Sequence, residues 1–545
     1  MMNNEILNAI LIGVILTSLF LVVYRLLLRS KAHFIINTII LLIGGLLNYH
    51  FVLFSVQMLA IILICSLTVY ILVFMSMQDK IPGQKGSISG EEPTPRRYSR
   101  VELGNGETVG NVFAGVYVGG SAGSGKTRSV IHRFMRHFGR YNFGGIIYAY
   151  KNFELVEYGL PLFNSDKCYI FAPNNPEVTV KVNPLDPSYF DDETEIRGFF
   201  QEMMDNLNRR KGGADNETTI FFKAAATGLV TGITWIMMQR YPQYCTLPHI
   251  AALCMLNDFD TLKQFLETDS RATMQAATYL QSTGDQLSGV KGTVFNFLSS
   301  FATPAICYSL YDKDRNYVDL KVNTKGDPKH LFIVNDIANE AVILPVVNSI
   351  TYLAMRLLTK GETQRSYILI DEGSTLNLQG FSRKPATLRS FEVATLFSIQ
   401  DHSLAIEAAS EATIRAICSN LSYQYYGKAN DDKTAEAYER MSPYIEKKQR
   451  SHTSANNVLA NNMNRDSTTI SMKEQKMYRA PDFRALGTGE FICFSDGKCK
   501  KKYFDYKAGI DRATIVPMRT VTKEQVNTNY EEILVWAKTF LIINQ

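Results

Sequence analysis

One octapeptide constrains this chain more than any other feature: Gly120-Ser-Ala-Gly-Ser-Gly125-Lys126-Thr127 fits GxxxxGK[ST] without deviation. The apolar run 112–118 before it reads as a strand, and residues 128–138 after it read as a helix. Glycines at 120, 123 and 125 let the loop take positive φ and bring backbone N–H groups against phosphate oxygens, where the helix N-terminus adds partial positive charge. Gly120, Ser121, Ala122, Gly123, Ser124, Gly125, Lys126, Thr127 and Arg128 are therefore the expected nucleotide-binding residues. Lys126 is expected to reach the β and γ phosphates of ATP, and the Thr127 hydroxyl to bind Mg²⁺.

Hydrolysis at such a loop also needs a carboxylate at the end of a neighbouring buried strand to hold Mg²⁺ through water, with a base beside it. Residues 367–372, Tyr-Ile-Leu-Ile-Asp-Glu, supply both. Asp371 is the expected Mg²⁺ carboxylate and Glu372 the expected base for the attacking water. A third strand, 395–399, ends at Gln400, a residue type able to sense a γ phosphate from an adjacent strand; the plainer reading is a capped strand end. Arg389 lies between these two strands and is either a solvated arginine or one that reaches a neighbouring subunit's site and stabilises transition-state charge there. Lys126, Glu372, Arg389 and Gln400 form the expected catalytic set.

The apolar runs 146–150, 169–171, 331–334, 421–426 and 491–494 fit the same parallel sheet, which makes this an α/β nucleotide-binding domain built from 101–190 and 302–516. Between them, 191–301 has long helical periodicity and no strand candidate, so an all-helical insertion is expected there. Residues 517–545 are expected to form a C-terminal helix opened by a Thr522-x-x-Gln525 capping box, packing on the body or presenting a partner site.

Charge is distributed unevenly. The chain has 545 residues and a formal net charge of +5. Its first 78 residues hold only Glu5, Arg25, Arg29 and Lys31. Residues 6–24 and 51–77 are each apolar and long enough to cross about 30 Å of hydrocarbon, and 34–47 is a shorter third run. Residues 1–78 thus read as a membrane anchor of two or three helices. Three spans would keep Arg25, Arg29 and Lys31 on the same side as the nucleotide site. Residues 79–100, rich in Gly and Pro, read as a linker. Eight scattered cysteines without a CxxC pair exclude a disulfide scaffold.

Other signals are weaker. His132 and His137 are wrongly spaced to share a helix face as metal ligands, and Cys493 and Cys499 lack partners. Arg128, Arg133, Arg136 and Arg140 read as a solvated face, a subunit contact or a DNA contact. The patches Lys498, Lys500, Lys501, Lys502 and Arg209, Arg210, Lys211 are candidates for phosphate-backbone contact. Residues 451–469, rich in Asn and Ser, read as a mobile surface loop.

The order of these parts resembles the type IV secretion coupling proteins of bacterial conjugation. The residues that carry the resemblance are the N-terminal spans, Gly120 to Thr127, Val182-Asn-Pro-Leu-Asp186, 367–372, Arg389, Gln400-Asp401 and Pro481-Asp-Phe-Arg with Gly489-Glu-Phe. It implies a RecA-like P-loop NTPase domain, ATP and Mg²⁺ as cofactors, and a homo-hexameric ring at the bacterial inner membrane. The implied partners are a relaxase (the relaxosome), single-stranded DNA and the type IV secretion channel. Two departures stand out: Ala149 occupies the Asp position of an Asp-x-Lys pattern in which Lys151 is retained, and Gly373 replaces the bulky residue that commonly follows Asp-Glu. A septal duplex-DNA translocase and a receptor that binds ATP without pumping are the competing readings.

Overall fold

The computed structural model describes residues 97–208, 216–376, 381–454, 466–495, 497–506 and 510–543. The expected membrane helices, the linker up to residue 96, and the cluster Arg209, Arg210, Lys211 lie outside the described residues.

Nine strands make the main sheet: β1 Val116–Gly119, β2 Gly144–Ala149, β3 Cys168–Phe171, β4 His330–Val334, β5 Ser366–Ile370, β6 Val393–Ile399, β7 Tyr423–Tyr426, β8 Glu490–Ser495 and β9 Lys498–Tyr503. Their spatial order is β9-β8-β7-β1-β6-β5-β2-β4-β3. Every pairing from β7 across to β3 is parallel. The run 491–494 departs from the parallel expectation, because β8 lies antiparallel to β7 and is followed by β9 in a tight hairpin. Sequence reading missed β9 because four of its six residues are lysines. On a sheet edge that composition blocks further pairing. Lys501 is paired to Glu490 at 3.0 Å and Lys502 donates to the Asn105 carbonyl at 3.2 Å.

β1, β2, β4, β5 and β6 are buried at every residue, as expected for parallel strands covered on both faces. Alternate side chains enter two separate cores. Ile146, Tyr148, Ile333, Ile370 and Phe397 face one side together with the helical region. Ile147, Ala149, Phe332, Leu369 and Leu396 face the other with Val130, Phe134 and Phe138. The run 112–118 is not one strand: Val112–Ala114 is a 3₁₀ turn, and Gly115 at φ +79° starts β1. A Cβ there would lie 2.5 Å from the Leu421 side chain, so both the backbone angle and the packing require glycine.

The phosphate loop runs into a π-helical turn, Lys126–Ile131, and then α1, His132–Arg140. His137 Nε2 lies 2.7 Å from the Tyr98 carbonyl and the His132 ring meets Tyr158 edge-on, so the two histidines have separate packing roles. Among the described residues no group of His, Cys, Asp and Glu is arranged to hold a metal ion.

Between β3 and residue 322 the regular elements among the described residues are all helical, including α2 Glu193–Asn208, α3 Glu217–Arg240 and α4 Leu247–Leu256. α3 is buried from Ala225 to Met238, as suits a helix apolar on all sides. Gly228 lets it approach the Gln275 carbonyl, where a Cβ would come within 2.3 Å. After β4 comes α5, Glu340–Leu357. α3 and the run Ile337–Leu357 are long and apolar enough to cross a membrane, yet both are mostly buried inside the body.

Residues 451–454 and 466–469 depart from the expected loop and extend a two-stranded ribbon, Tyr444–Ser454 against Asp466–Lys476, that follows α6, Asp432–Met441. The β-branched run Thr468-Thr469-Ile470 favours a strand, and eleven consecutive cross-strand pairs outweigh the polar composition.

From Phe504 the chain crosses the body as a strap. The Phe504 carbonyl accepts from Ser129 Oγ, the Ala513 N–H reaches the Glu157 carbonyl, and the Met518 N–H reaches the Glu177 carbonyl. α7, Lys523–Ile543, then docks on α4, opened by the reciprocal Thr522–Gln525 cap. Trp536 lies 4.6 Å from His249 and 4.8 Å from Tyr244, and Phe540 lies 4.8 Å from Tyr241.

Candidate functional site

All parts of the candidate site except Arg389 come together at the carboxyl ends of β1, β2, β5 and β6. The phosphate loop takes positive φ at Gly120, Gly123 and Gly125, and a Cβ on Gly123 would meet only open space. Its carbonyls are tied down from behind: Gly123 O accepts from Thr488 Oγ1 at 3.0 Å and Ser124 O from the Gly489 N–H at 2.9 Å. On the other flank the Ser121 N–H donates to the Lys428 carbonyl at 2.7 Å, and Ser121 Oγ accepts from the Asn430 N–H at 2.9 Å. This bracing holds the loop in a concave form, and Ser124 Oγ is buried in it without a hydrogen-bond partner.

Lys126 is buried and donates to the Gly120 carbonyl. Burial lowers its pKa, and the nearby Glu372 and Asp371 carboxylates oppose that shift. Thr127 is half-buried beside it, whereas Ala122 and Arg128 are exposed. Asp371 follows β5 and its N–H donates to the Tyr148 carbonyl at 3.2 Å. Burial, reinforced by the Glu372 charge, pushes its carboxyl up to about 7 against the pull of Lys151 and Lys126. A buried acid of this kind next to a buried lysine, a glycine cradle and an orphaned serine hydroxyl fits a phosphate group with its divalent cation.

Glu372 has φ +55°, a left-handed backbone that a non-glycine residue adopts only when its surroundings enforce it. Those surroundings are explicit. Its carbonyl accepts from the Thr375 N–H at 2.9 Å and from Thr375 Oγ1 at 2.7 Å, and that hydroxyl lies 3.0 Å from Tyr148 OH. Glu372 Oε2 accepts from the Gln400 N–H at 3.1 Å, while Oε1 is 3.4 Å from Lys151 Nζ. Lys151 also donates to Gln400 Oε1 at 2.9 Å. One lysine therefore bridges the carboxylate and the amide. Sequence reading singled out Lys151 only as the retained member of a pattern, with no contact assigned to it; its position just beyond the carboxyl end of β2 was the available signal.

Gly373 has a packing reason. A Cβ there would lie 2.2 Å from the Phe397 ring, which leaves no room for the bulky residue common at this position. At Ala149 the carbonyl accepts from the Asn335 N–H at 3.0 Å, and the Asn335 amide group is buried with neither polar atom bonded. Arg389 is exposed on the turn before β6, at the end of the sheet away from the phosphate loop. The seven residues of β6, roughly 20 Å at about 3.3 Å each, separate it from Gln400.

A phosphate loop, a strand-end Asp-Glu pair and an adjacent glutamine at the carboxyl edge of a mainly parallel sheet define a P-loop nucleotide-binding protein. Residues 110–480 match the type IV secretion-system coupling protein DNA-binding domain, and the chain belongs to that family. Among curated protein sequences none matches this chain. Among solved structures, the unbound monoclinic form of the bacterial conjugative coupling protein TrwBdeltaN70 is similar with a TM-score of 0.62 at 12% identity, over 78% of this chain and 92% of that one. The plasmid coupling protein TrwB in complex with the GTP analogue GDPNP gives 0.57 at 12% over 74% and 88%, and its complex with ADP and Mg²⁺ gives 0.55 at 12% over 75% and 87%. At that identity the likeness establishes the shared fold.

Proposed function

We propose that this protein is a membrane-anchored ATPase that couples a relaxase–DNA complex to a type IV secretion channel and drives single-stranded DNA transfer during conjugation, working as a homo-hexamer. The observation that carries the reading is the meeting of Lys126, Thr127, Asp371, Glu372 and Gln400 at one sheet edge in a chain of the coupling-protein family. ATP and Mg²⁺ are the cofactors; similar TrwB structures hold an ATP analogue, and ADP with Mg²⁺. Bound there, the nucleotide supplies the transferable phosphoryl group and Mg²⁺ neutralises its charge.

The chain's own residues divide the work. Loop N–H groups and Lys126 hold the phosphates, while Thr127 and Asp371 hold the cation. Glu372, fixed by the Gln400 N–H, accepts the proton of the attacking water. Lys151 and Gln400, bonded to each other beside Glu372, would stabilise the negative charge that grows on the transferred group. Arg389, exposed and distant from its own phosphate loop, is assigned to the neighbouring subunit's site in the ring.

The test is ATP hydrolysis by the full-length protein in detergent, with and without single-stranded or duplex DNA. Turnover should rise with single-stranded DNA. Lys126→Ala should abolish nucleotide binding and turnover, whereas Glu372→Gln should bind ATP and lose turnover by about 10²–10⁴-fold. Wild-type protein that binds ATP yet shows no turnover with any DNA would overturn the motor reading in favour of a receptor.

A further inference from the structure

The ribbon has no role in the nucleotide site, yet it is built for contact. Eleven consecutive antiparallel pairs join Tyr444–Ser454 to Asp466–Lys476, and among the described residues no third strand joins them. At about 3.4 Å per residue it is roughly 35 Å long. Two strands alone are marginally stable in water, and this pair leaves Tyr444 61%, Ile470 57% and Met472 58% exposed.

Its register places like charges directly opposite one another on consecutive rungs. Glu446 faces Glu474 across one rung, and Lys447 faces Lys473 across the next. Adjacent rungs point to opposite faces, so the glutamates lie on one face and the lysines on the other, all four exposed. Directly opposed like charges destabilise a ribbon by itself, and the arrangement is relieved when the lysine face meets an anion. The two strands hold Lys447, Lys448, Arg450, Lys473 and Lys476 against Glu446, Asp466 and Glu474, a net +2 in a chain of only +5.

The ribbon is also wired to the phosphate loop at both roots. One root follows α6, which begins just after Lys428 and Asn430, the residues that brace Ser121. The other leads through helix Ala480–Arg484 to Thr488 and Gly489, which brace Gly123 and Ser124. Those two helices are packed together, Tyr438 against Phe483 at 5.6 Å, and the Ala480 N–H donates to Glu439 at 2.8 Å. Lys476 closes the base by donating to the Arg440 and Ser442 carbonyls and lying 4.0 Å from the Tyr444 ring.

We infer that the lysine face of this ribbon, carried by Lys447 and Lys473, binds the phosphodiester backbone of nucleic acid, and that α6 and the 480–484 helix transmit that contact to the phosphate loop. The inference rests on the proposed function and names the element that performs it. Tyr444, with Lys476 Nζ 4.0 Å from its ring, lies on the glutamate face, and the lysine-face positions of the two strands carry no aromatic residue to stack a base, so the contact is to phosphates and is independent of sequence.

The experiment is fluorescence anisotropy with full-length protein and a labelled 30-nucleotide strand or the same sequence as duplex, across a salt series. The double variant Lys447→Glu/Lys473→Glu should weaken binding at least tenfold and flatten the slope of log affinity against log salt by about 1.5. It should retain basal ATP hydrolysis and lose its stimulation by DNA. Lys447→Arg/Lys473→Arg should bind as the wild type does, and Glu446→Gln/Glu474→Gln on the other face should bind equally well or more tightly. The strand that gives the larger loss identifies the form of nucleic acid engaged. Unchanged affinity and slope in the lysine-reversal variant would overturn the ribbon assignment alone. So would an equal loss from both faces, or a fall in oligomer mass with DNA binding intact, which would make the face a contact between copies. A wild type that binds neither strand would overturn the proposed function together with the ribbon.

Discussion

At the scale of single residues, the informative side chain is one that motif reading left without a role. Lys151 contacts both Glu372 and Gln400, and its charge opposes the upward shift of the Asp371 carboxyl. Removing it takes away a cation that holds the Asp371 carboxyl down, which raises the proton affinity of Asp371 and makes it a poorer ligand. Lys151→Met should therefore weaken apparent Mg²⁺ affinity about tenfold at pH 7, equivalent to roughly 1.4 kcal/mol, with Lys151→Arg losing less. Mg²⁺ titration monitored through a fluorescent nucleotide reads this directly, and an unchanged midpoint would remove Lys151 from the site. The phosphate loop was legible in the sequence because its chemistry is contiguous, glycine spacing and Lys-Thr lying within eight residues. The Lys151–Gln400 contact joins positions 249 residues apart and depends on strand order, which periodicity does not encode. Gly373 likewise gains its meaning only from Phe397 on the neighbouring strand.

At the scale of elements, strands with uniform apolar runs were legible, and those whose identity depends on a partner were not. β2, β4, β5 and β6 are buried on both faces and announce themselves by composition. β9 and the ribbon are polar, and they exist because a neighbouring strand satisfies their backbone. The C-terminal helix was readable from its cap, but its seat was not. α7 fills an aromatic pocket formed by Tyr241, Tyr244 and His249, with Asn257 donating to the Ala537 carbonyl at 3.2 Å. Trp536 is half-buried, so Trp536→Ala should cost less than the ~3–5 kcal/mol of a fully buried aromatic, on the order of 2 kcal/mol of the docking energy. Limited proteolysis should then cut within 504–522 while β1 to β6 stay protected. Protection equal to the wild type would show that the helix is held by something other than this pocket.

At the scale of the whole molecule, burial has left several histidines neutral. Desolvation lowers His132 and His330 from 6.5 to about 4 and His249 to about 3. As pH falls below about 6.5 the unfolded chain takes up these protons first, so each histidine lowers stability by up to roughly 1.4 kcal/mol per pH unit until its folded pKa is reached. Asp371, raised from 3.8 to about 7, has the opposite sign and offsets one of the three over this interval. Melting temperature should therefore fall steadily from pH 6.5 to 5, and replacing His249, which packs against Tyr311 and Trp536, by Gln should flatten that slope. A slope unaltered in His249→Gln would place the acid sensitivity elsewhere. The strand order carries a further consequence, for synthesis. β1 lies between β6 and β7, so the strand bearing the phosphate loop has both edges open until residues 393–426 have left the ribosome. By then every other parallel strand and the intervening helices have been made. A chain interrupted between Thr127 and that point carries the whole GxxxxGKT segment and still has no nucleotide site, so ATP capture becomes a report that translation has nearly finished.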